Sequence, residues 1–344
     1  MVDFLIVGGG IAGINVAWQL HQRGSGFHLI DTCKYNSATS IAAGLINPVT
    51  GRKFSTQWNI DELIPLAEKT YTEIGHFLHT DFLFKKSIFK IHKNESVVED
   101  WLKIKSAQPV SAYINHFPDS TSYAKYLDFR FGAIGVYPAF HLNMVLMQQQ
   151  FYAAFPNCIL QEQLVYDTLK IEPHAIYYKG NSYRNIIFCD GVAAQKNPWF
   201  NFISFKPAKG ECLIIEVPNM QLHEIIMKGV ILVPIGQNTY WVGATNTWND
   251  LTNEPTQAAF EELDNGLKAL LKIPYHVVAH KAAVRPTIKD RTPVVGRHPE
   301  IENMFTLNGL GTKGTSLAPY YAKQLVEHIF NGTSINQEVR VNRF

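Results

Sequence analysis

Charge of one sign is what this sequence most clearly lacks. Across 344 residues, 31 Lys and Arg stand against 29 Asp and Glu, a surplus of +2. No basic run is interleaved with aromatics, so there is no strong nucleic-acid signal. Cysteine is scarce: Cys33, Cys158, Cys189 and Cys212 are far apart and form no CxxC or His-paired pattern. Neither a disulfide framework nor a metal site is expected, and a reducing, cytoplasmic setting fits that usage. Long hydrophobic runs are also missing, and no stretch reaches the roughly 18 apolar residues of a transmembrane segment. The apolar start, Met1 to Leu20, lacks a basic n-region, carries Asp3 and is broken by three consecutive glycines. It reads as part of the fold and not as an address. With 46% hydrophobic and 17% charged residues, and with 23 Gly and 17 Pro, collagen, coiled coil and wholesale disorder are excluded. The length corresponds to about two domains.

What is present begins at residue 2. Val2 to Val7 is a β-rich run that ends in Gly8-Gly9-Gly10-Ile11-Ala12-Gly13, and Val16, Ala17 and Leu20 follow at helical spacing. In this strand, turn and helix, Gly8 permits the tight turn and Gly10 lets the backbone approach a pyrophosphate. Gly13 lets the helix sit close to the sheet, and the N–H groups of the helix start hold the diphosphate. The next strand, Phe27 to Ile30, ends at Asp31, whose carboxylate can accept both ribose hydroxyls and would repel a 2′-phosphate. Dinucleotide binding follows; flavin or nicotinamide stays open at this point.

Residues 32–48 read as loop. Helices are expected from Pro65 towards Leu78, over Leu142 to Phe155 and from near Pro255 to Leu271, with a mixed strand-and-turn region over Phe82 to Tyr137. Strands are expected at Leu169 to Tyr178, Asn185 to Cys189, Glu211 to Val217, Val230 to Ile235, Thr239 to Thr245 and Asn303 to Leu307. The last runs into a second glycine turn, Asn308-Gly309-Leu310-Gly311-Thr312-Lys313-Gly314, before a helix over Thr315 to Phe330. No acid-ended strand follows, so this turn serves the first site: a helix start aimed at a flavin ring would favour its anionic reduced form.

Val284-Arg285-Pro286-Thr287 through Asp290, Pro293 and Gly296 resembles the D-amino-acid oxidase and glycine or sarcosine oxidase superfamily, flavoproteins that oxidise a C–N bond. Gly8, Gly10, Gly13 and Asp31 are similar to its FAD fingerprint, Ser40 to Gly44 to its flavin-wrapping loop, and Cys189-Asp190-Gly191 to its second FAD strand end. Pro207 to Glu211 and Tyr240 to Thr245 resemble strands of its substrate domain. The resemblance implies FAD contacts from Gly8, Gly10, Ile11, Ala12, Gly13, Asp31, Thr32, Thr39, Ser40, Ala43, Gly44, Leu45, Val165, Asp190 and Gly191. It implies further contacts from Arg285, Gly309, Gly311, Thr312, Lys313, Gly314 and Thr315. Two departures stand out: Leu310 follows Gly309 where the glycine oxidase branch commonly has His, and Lys313 stands where related proteins often have Arg. No cysteine follows Cys212, so the covalent attachment of monomeric sarcosine oxidases is missing and the FAD is expected to be noncovalent.

The fold implied is α/β: a Rossmann-like FAD-binding domain, discontinuous in sequence (1–80, 138–205 and 278–344), with a second α+β substrate domain on a mainly antiparallel sheet (81–137 and 206–277). The reaction implied is oxidation of an amino acid or secondary amine, with O2 or another electron acceptor. Hydride transfer needs few catalytic side chains. A substrate carboxylate calls for a guanidinium, for which Arg285 is the candidate against a structural salt bridge. Arg52, and less so Lys53, together with Lys313, are candidate cations beside the flavin, while Lys209 is expected at the surface. Alternatives are a flavoenzyme that trims a modified wobble uridine of tRNA, a nicotinamide dehydrogenase, or a non-catalytic flavin-binding protein.

Overall fold

The computed structural model describes residues 1–51, 54–105, 110–115 and 120–344. The chain opens with β1 (Val2–Val7), α1 (Ile11–Gln22) and β2 (Phe27–Asp31), the predicted strand, helix and strand. The stretch expected to be loop contains a short helix, α2 (Ala38–Ile41), and the two-residue strands β3 (Leu45–Ile46), β4 (Val49–Thr50) and β5 (Ser55–Thr56). Helix α3 (Ile60–Leu78) begins five residues before Pro65, after Asn59 in a left-handed conformation, and the proline lies inside it. Next come β6 (Leu83–Ile91), α4 (Glu95–Ile104), β7 (Ile114–Asn115) and β8 (Ala133–Leu142). Leu142, expected to open a helix, instead closes β8; Asn143 caps α5 (Met144–Ala154) by accepting from the Leu146 N–H at 3.1 Å.

The expected strand over 169–178 is a hairpin of β10 (Lys170–Glu172) and β11 (Ala175–Tyr178), preceded by β9 (Ile159–Gln161) and followed by β12 (Asn181–Phe188). The remainder consists of β13 (Ala208–Glu216), β14 (Ile225–Lys228), β15 (Val230–Pro234), β16 (Thr239–Gly243), α6 (Gln257–Leu270), β17 (His276–Arg285), β18 (Val294–Arg297), β19 (Met304–Asn308) and α7 (Gly314–Asn331).

Two sheets organise these elements. The first has a parallel centre in which β12 pairs with β1, β1 with β2 and β2 with β9, while β19 runs parallel to the end of β12. Its strands come from residues 2–31, 159–188 and 294–308, so the nucleotide-binding half is discontinuous. The second sheet runs β17-β13-β16-β15-β14-β6-β8-β3 and is antiparallel except where β14 meets β6. It takes in Leu45–Ile46 and all of His276–Arg285, residues placed by the sequence partly with the nucleotide half.

Alternation explains how the second sheet is shared. One face supplies Cys212, Val233, Trp241 and Ile225 to the core that also holds α1, α3 and α7; the other supplies Leu213, Ile215, Tyr240 and Val242 to a core beneath Leu263 and Leu267 of α6. A third cluster, with Leu5, Val7, Ile186 and Phe188, covers the far face of the first sheet. Among the described residues no helix is long and apolar enough to cross a membrane.

Candidate functional site

Both glycine turns lie at the carboxyl ends of parallel strands, where ligands of open α/β sheets bind. After β1, Gly8 has φ +101° and donates its N–H to the Ile30 carbonyl at 2.8 Å. A Cβ on Gly8 would sit 2.3 Å from the Cys189 carbonyl oxygen, and one on Gly13 only 1.8 Å from the Gly8 carbonyl oxygen. Backbone thus packs on backbone, and α1 starts directly on the turn. Gly10 provides no side-chain cap and the first turn of α1 has no acidic residue. The Ile11 N–H is bonded to Thr39 Oγ1 at 3.0 Å; those of Ala12 and Gly13 belong to the helix start, where no intrahelical acceptor exists.

Gly9 is held from two sides. Its N–H donates to Asp31 Oδ2 at 2.8 Å, and its carbonyl accepts from Gln148 Nε2 at 2.9 Å and the Tyr152 hydroxyl at 2.8 Å. The other Asp31 oxygen takes the Cys33 N–H at 2.7 Å, which leaves each carboxylate oxygen a lone pair for a hydroxyl donor. Gln148 and Tyr152 did not emerge from the sequence, although their i,i+4 spacing on α5 was the available signal. Thr32 is half-buried just beyond Asp31.

Residues 38–45 tie this turn to the second sheet. The Ser40 hydroxyl donates to Gln148 Oε1 at 3.1 Å, while the Ile41 carbonyl accepts from Trp241 Nε1 at 2.9 Å. His141 donates through Nδ1 to the Ala43 carbonyl at 2.9 Å, and burial holds its pKa below the usual imidazole value. Gly44 has φ +63° and a Cβ there would meet the Leu142 carbonyl oxygen at 2.0 Å; Leu45 pairs with His141.

At the end of β12 the Asp190 carboxyl accepts from the Tyr166 hydroxyl at 3.0 Å, Asn308 Nδ2 at 3.0 Å and Asn197 Nδ2 at 3.2 Å. Burial nevertheless pushes its pKa up to about 6. Asn308 also donates to the Gly191 carbonyl, so Asp190-Gly191 and the start of the second glycine turn are one network. Val165 is 56% exposed, and its carbonyl accepts from the Thr168 N–H and hydroxyl.

In the second turn Gly309 and Gly311 have φ +75° and +56°. A Cβ on Gly309 would lie 2.4 Å from Ile288, whereas Gly311 faces open space. Gly314 opens α7 against Ile11: a Cβ there would be 3.1 Å from the Ile11 side chain, so the two helix starts meet. The first turn of α7 is gripped by its oxygens, since the Tyr71 hydroxyl donates to the Thr315 carbonyl and Gln57 Nε2 to Ser316 Oγ, both at 2.8 Å. Thr312 is the exposed residue before the uncapped start at Lys313. Desolvation lowers the pKa of the half-buried Lys313 ammonium.

The wall opposite is the second sheet. Lys281, Cys212, Gly243, Ile231 and Met227 lie opposite one another across five strands and so share one face. Arg285 stands on that face with its guanidinium across Gly210, where a Cβ would be 1.9 Å from Nη2. Nη1 donates to Asn246 Oδ1 at 3.2 Å, the Thr245 carbonyl at 3.3 Å and the Lys209 carbonyl at 3.5 Å; Nη2 reaches the Thr245 carbonyl at 3.3 Å. Among the described residues no carboxylate pairs with it, and desolvation lowers its pKa. Lys209 is a correction: it is fully buried on the opposite face, where its ammonium meets Asp250, and not at the surface. Arg52 and Lys53 lie outside the described residues. A surface cleft of about 720 Å³ lined by Asp3, His174, Arg184 and Arg297 opens at the amino ends of the strands and holds none of these groups.

An extended dinucleotide with a flavin ring fits this arrangement. Backbone closes Gly8, Gly13 and Gly44 to any Cβ; Asp31 keeps free lone pairs; and two uncapped helix starts converge. Comparison with known proteins agrees. Residues 3–328 match the family model described as FAD dependent oxidoreductase (DAO). The glycine oxidase of Geobacillus kaustophilus is 23% identical over 92% of this chain and 90% of that protein. The glycine oxidase of Bacillus subtilis is 28% identical over 39% of this chain, and the match spans only 37% of that relative's length. Among solved structures, glycine oxidase from Bacillus cereus superposes with a TM-score of 0.79 at 16% identity, covering 97% of this chain and 96% of that one.

Proposed function

Because the chain belongs to the FAD-dependent oxidoreductase (DAO) family, we propose that it oxidises the C–N bond of an amino acid or carboxylate-bearing secondary amine, with noncovalent FAD and dioxygen as electron acceptor. The observation that carries the substrate reading is Arg285, a half-buried guanidinium with only neutral oxygens around it. Such a charge is costly to desolvate unless an anion joins it, and a bidentate carboxylate is the partner its planar fork fits.

The start of α1, with Gly8, Gly10, Ile11, Ala12 and Gly13, would hold the diphosphate; Asp31 would accept the ribose hydroxyls; residues 39–45 would enclose the ring-bearing half. When bound, FAD supplies the two-electron acceptor to which the substrate carbon beside nitrogen gives its hydride. The α7 start and Lys313 would place positive potential where negative charge develops. Arg285 would fix the carboxylate, and Trp241, Met227 and Ile231 would present an apolar wall that orients the remainder of the substrate and keeps water away.

Arg285→Ala tests the reading. The substrate concentration for half-maximal rate should rise far more than the flavin-to-protein ratio falls. Equal effects on both would remove the carboxylate-clamp assignment.

A further inference from the structure

The outer strand pair of the second sheet contains a buried charge that the site described above does not use. The Lys209 side chain is 0% exposed. Its ammonium donates to Asp250 Oδ2 at 2.5 Å, Thr252 Oγ1 at 3.4 Å and the Glu254 carbonyl, with Glu211 Oε1 at 3.5 Å. All but Glu211 belong to one stretch, residues 250–254. Glu211, also buried, continues the grip by accepting from the Thr256 N–H at 2.8 Å and the Thr256 hydroxyl at 2.9 Å. Apolar burial does not hold this loop, since its Trp248 and Leu251 are 47% and 44% exposed. The ion pair with Asp250 and the hydrogen bonds around it are its anchor.

The same loop begins with the oxygens that orient Arg285. Backbone bonds between Lys209 and Thr247 (2.8 and 3.0 Å) and between Thr245 and Glu211 (3.2 Å) seat Thr245 to Thr247 on β13. From there the Thr245 carbonyl and Asn246 Oδ1 reach through to the guanidinium on the opposite face. Neutral acceptors at 3.2 to 3.5 Å are weak hydrogen-bond partners for a cation. The direction of the guanidinium therefore depends on where the loop puts those oxygens.

We propose that Lys209 is a positioning residue for the substrate carboxylate: with Asp250 it locks the 245–256 loop, and the loop sets the aim of Arg285. This rests on the reading of Arg285 as the carboxylate clamp. Residues joined in one hydrogen-bonded network commonly couple by enough to change an affinity several-fold. We expect about a tenfold loss of carboxylate affinity, equivalent to about 1.4 kcal/mol, when the lock is broken.

The test is calorimetric titration of acetate into the flavin-loaded protein, with melting temperature and flavin content measured on the same samples. Asp250→Asn, which alters the partly exposed partner, should weaken acetate binding about tenfold, and Asp250→Glu should restore it. Lys209→Met should act in the same direction; if it does not fold, the Asp250 pair of variants decides. Unchanged acetate affinity in Asp250→Asn, or a loss confined to melting temperature and flavin content, overturns the proposal. If Arg285→Ala abolishes acetate binding while the Asp250 and Lys209 variants leave it intact, the clamp stands and the lock falls. If Arg285→Ala itself leaves acetate affinity unchanged, both fall.

Discussion

Gly210→Ala is the sharpest perturbation the site offers, because it adds one methyl group where only a guanidinium can yield. The new Cβ would lie 1.9 Å from Arg285 Nη2 and 2.2 Å from Cζ. Carbon contacts settle near about 3.5 Å, so the guanidinium has to move by roughly 1.5 Å. A shift of that size breaks any hydrogen bond made at normal distance. The fold should tolerate it: Gly210 lies within β13, its φ is not positive, and glycine inside a strand is weaker than alanine by about 0.5 to 1 kcal/mol. Loss of charge-assisted hydrogen bonds worth about 1.5 to 3 kcal/mol implies a KM increase of about tenfold to about a hundredfold. Steady-state kinetics with a carboxylate-bearing amine, run beside a thermal melt and a flavin determination, reads all three quantities. A KM within about twofold of wild type, at unchanged melting temperature, would refute the account of Arg285.

Other variants test the cofactor half and the buried network. Gly13→Ala places a Cβ 1.8 Å from the Gly8 carbonyl oxygen, and backbone cannot step aside; a stability loss of about 1 to 3 kcal/mol, with depleted flavin, should appear in melts and in the flavin-to-protein ratio. Asp31→Asn keeps one acceptor and discards the charge, so FAD should dissociate about tenfold more readily in equilibrium dialysis. Asp190 titrates near 6 in the folded chain against 3.8 for a free side chain. Between those values the folded state holds the proton that the unfolded state releases, so this group reduces stability as pH rises from about 4 to about 6. The melting temperature of Asp190→Asn, relative to wild type, should therefore climb across that window; a flat difference would contradict the shift.

Local patterns were the legible part of the molecule. Gly8, Gly13 and Asp31 act within about one βαβ unit, and the reasons for each residue type are visible in sequence spacing. The discontinuous nucleotide half was legible because the two glycine turns lie at opposite ends of the chain. What escaped depends on partners distant in sequence. Lys209 reads as a surface lysine until Asp250, Thr252 and Glu254 fold over it. Strand β17 passed unassigned, so Arg285 could be named from its motif but not placed over Gly210, a relation set by strand register. Helix α4 had a usable signal in the Asn94 cap, which accepts the Val97 N–H at 3.1 Å, followed by Trp101 and Ile104 on the apolar side. Helix α3 shows the limit of reading proline as a helix start: Ile60 and Leu63, both buried, recruit an extra turn ahead of Pro65.

If the substrate amine is held by its carboxylate, that carboxylate should decide which amines reduce the flavin. Anaerobic mixing of the purified protein with amino acids, N-methyl amino acids, their decarboxylated amines and the matching hydroxy acids, while the visible flavin band is followed, tests it most directly. Bleaching by carboxylate-bearing amines, with decarboxylated amines far less effective and hydroxy acids inert, is the predicted result. Bleaching by hydroxy acids alone, or by amines irrespective of their carboxylate, would contradict it.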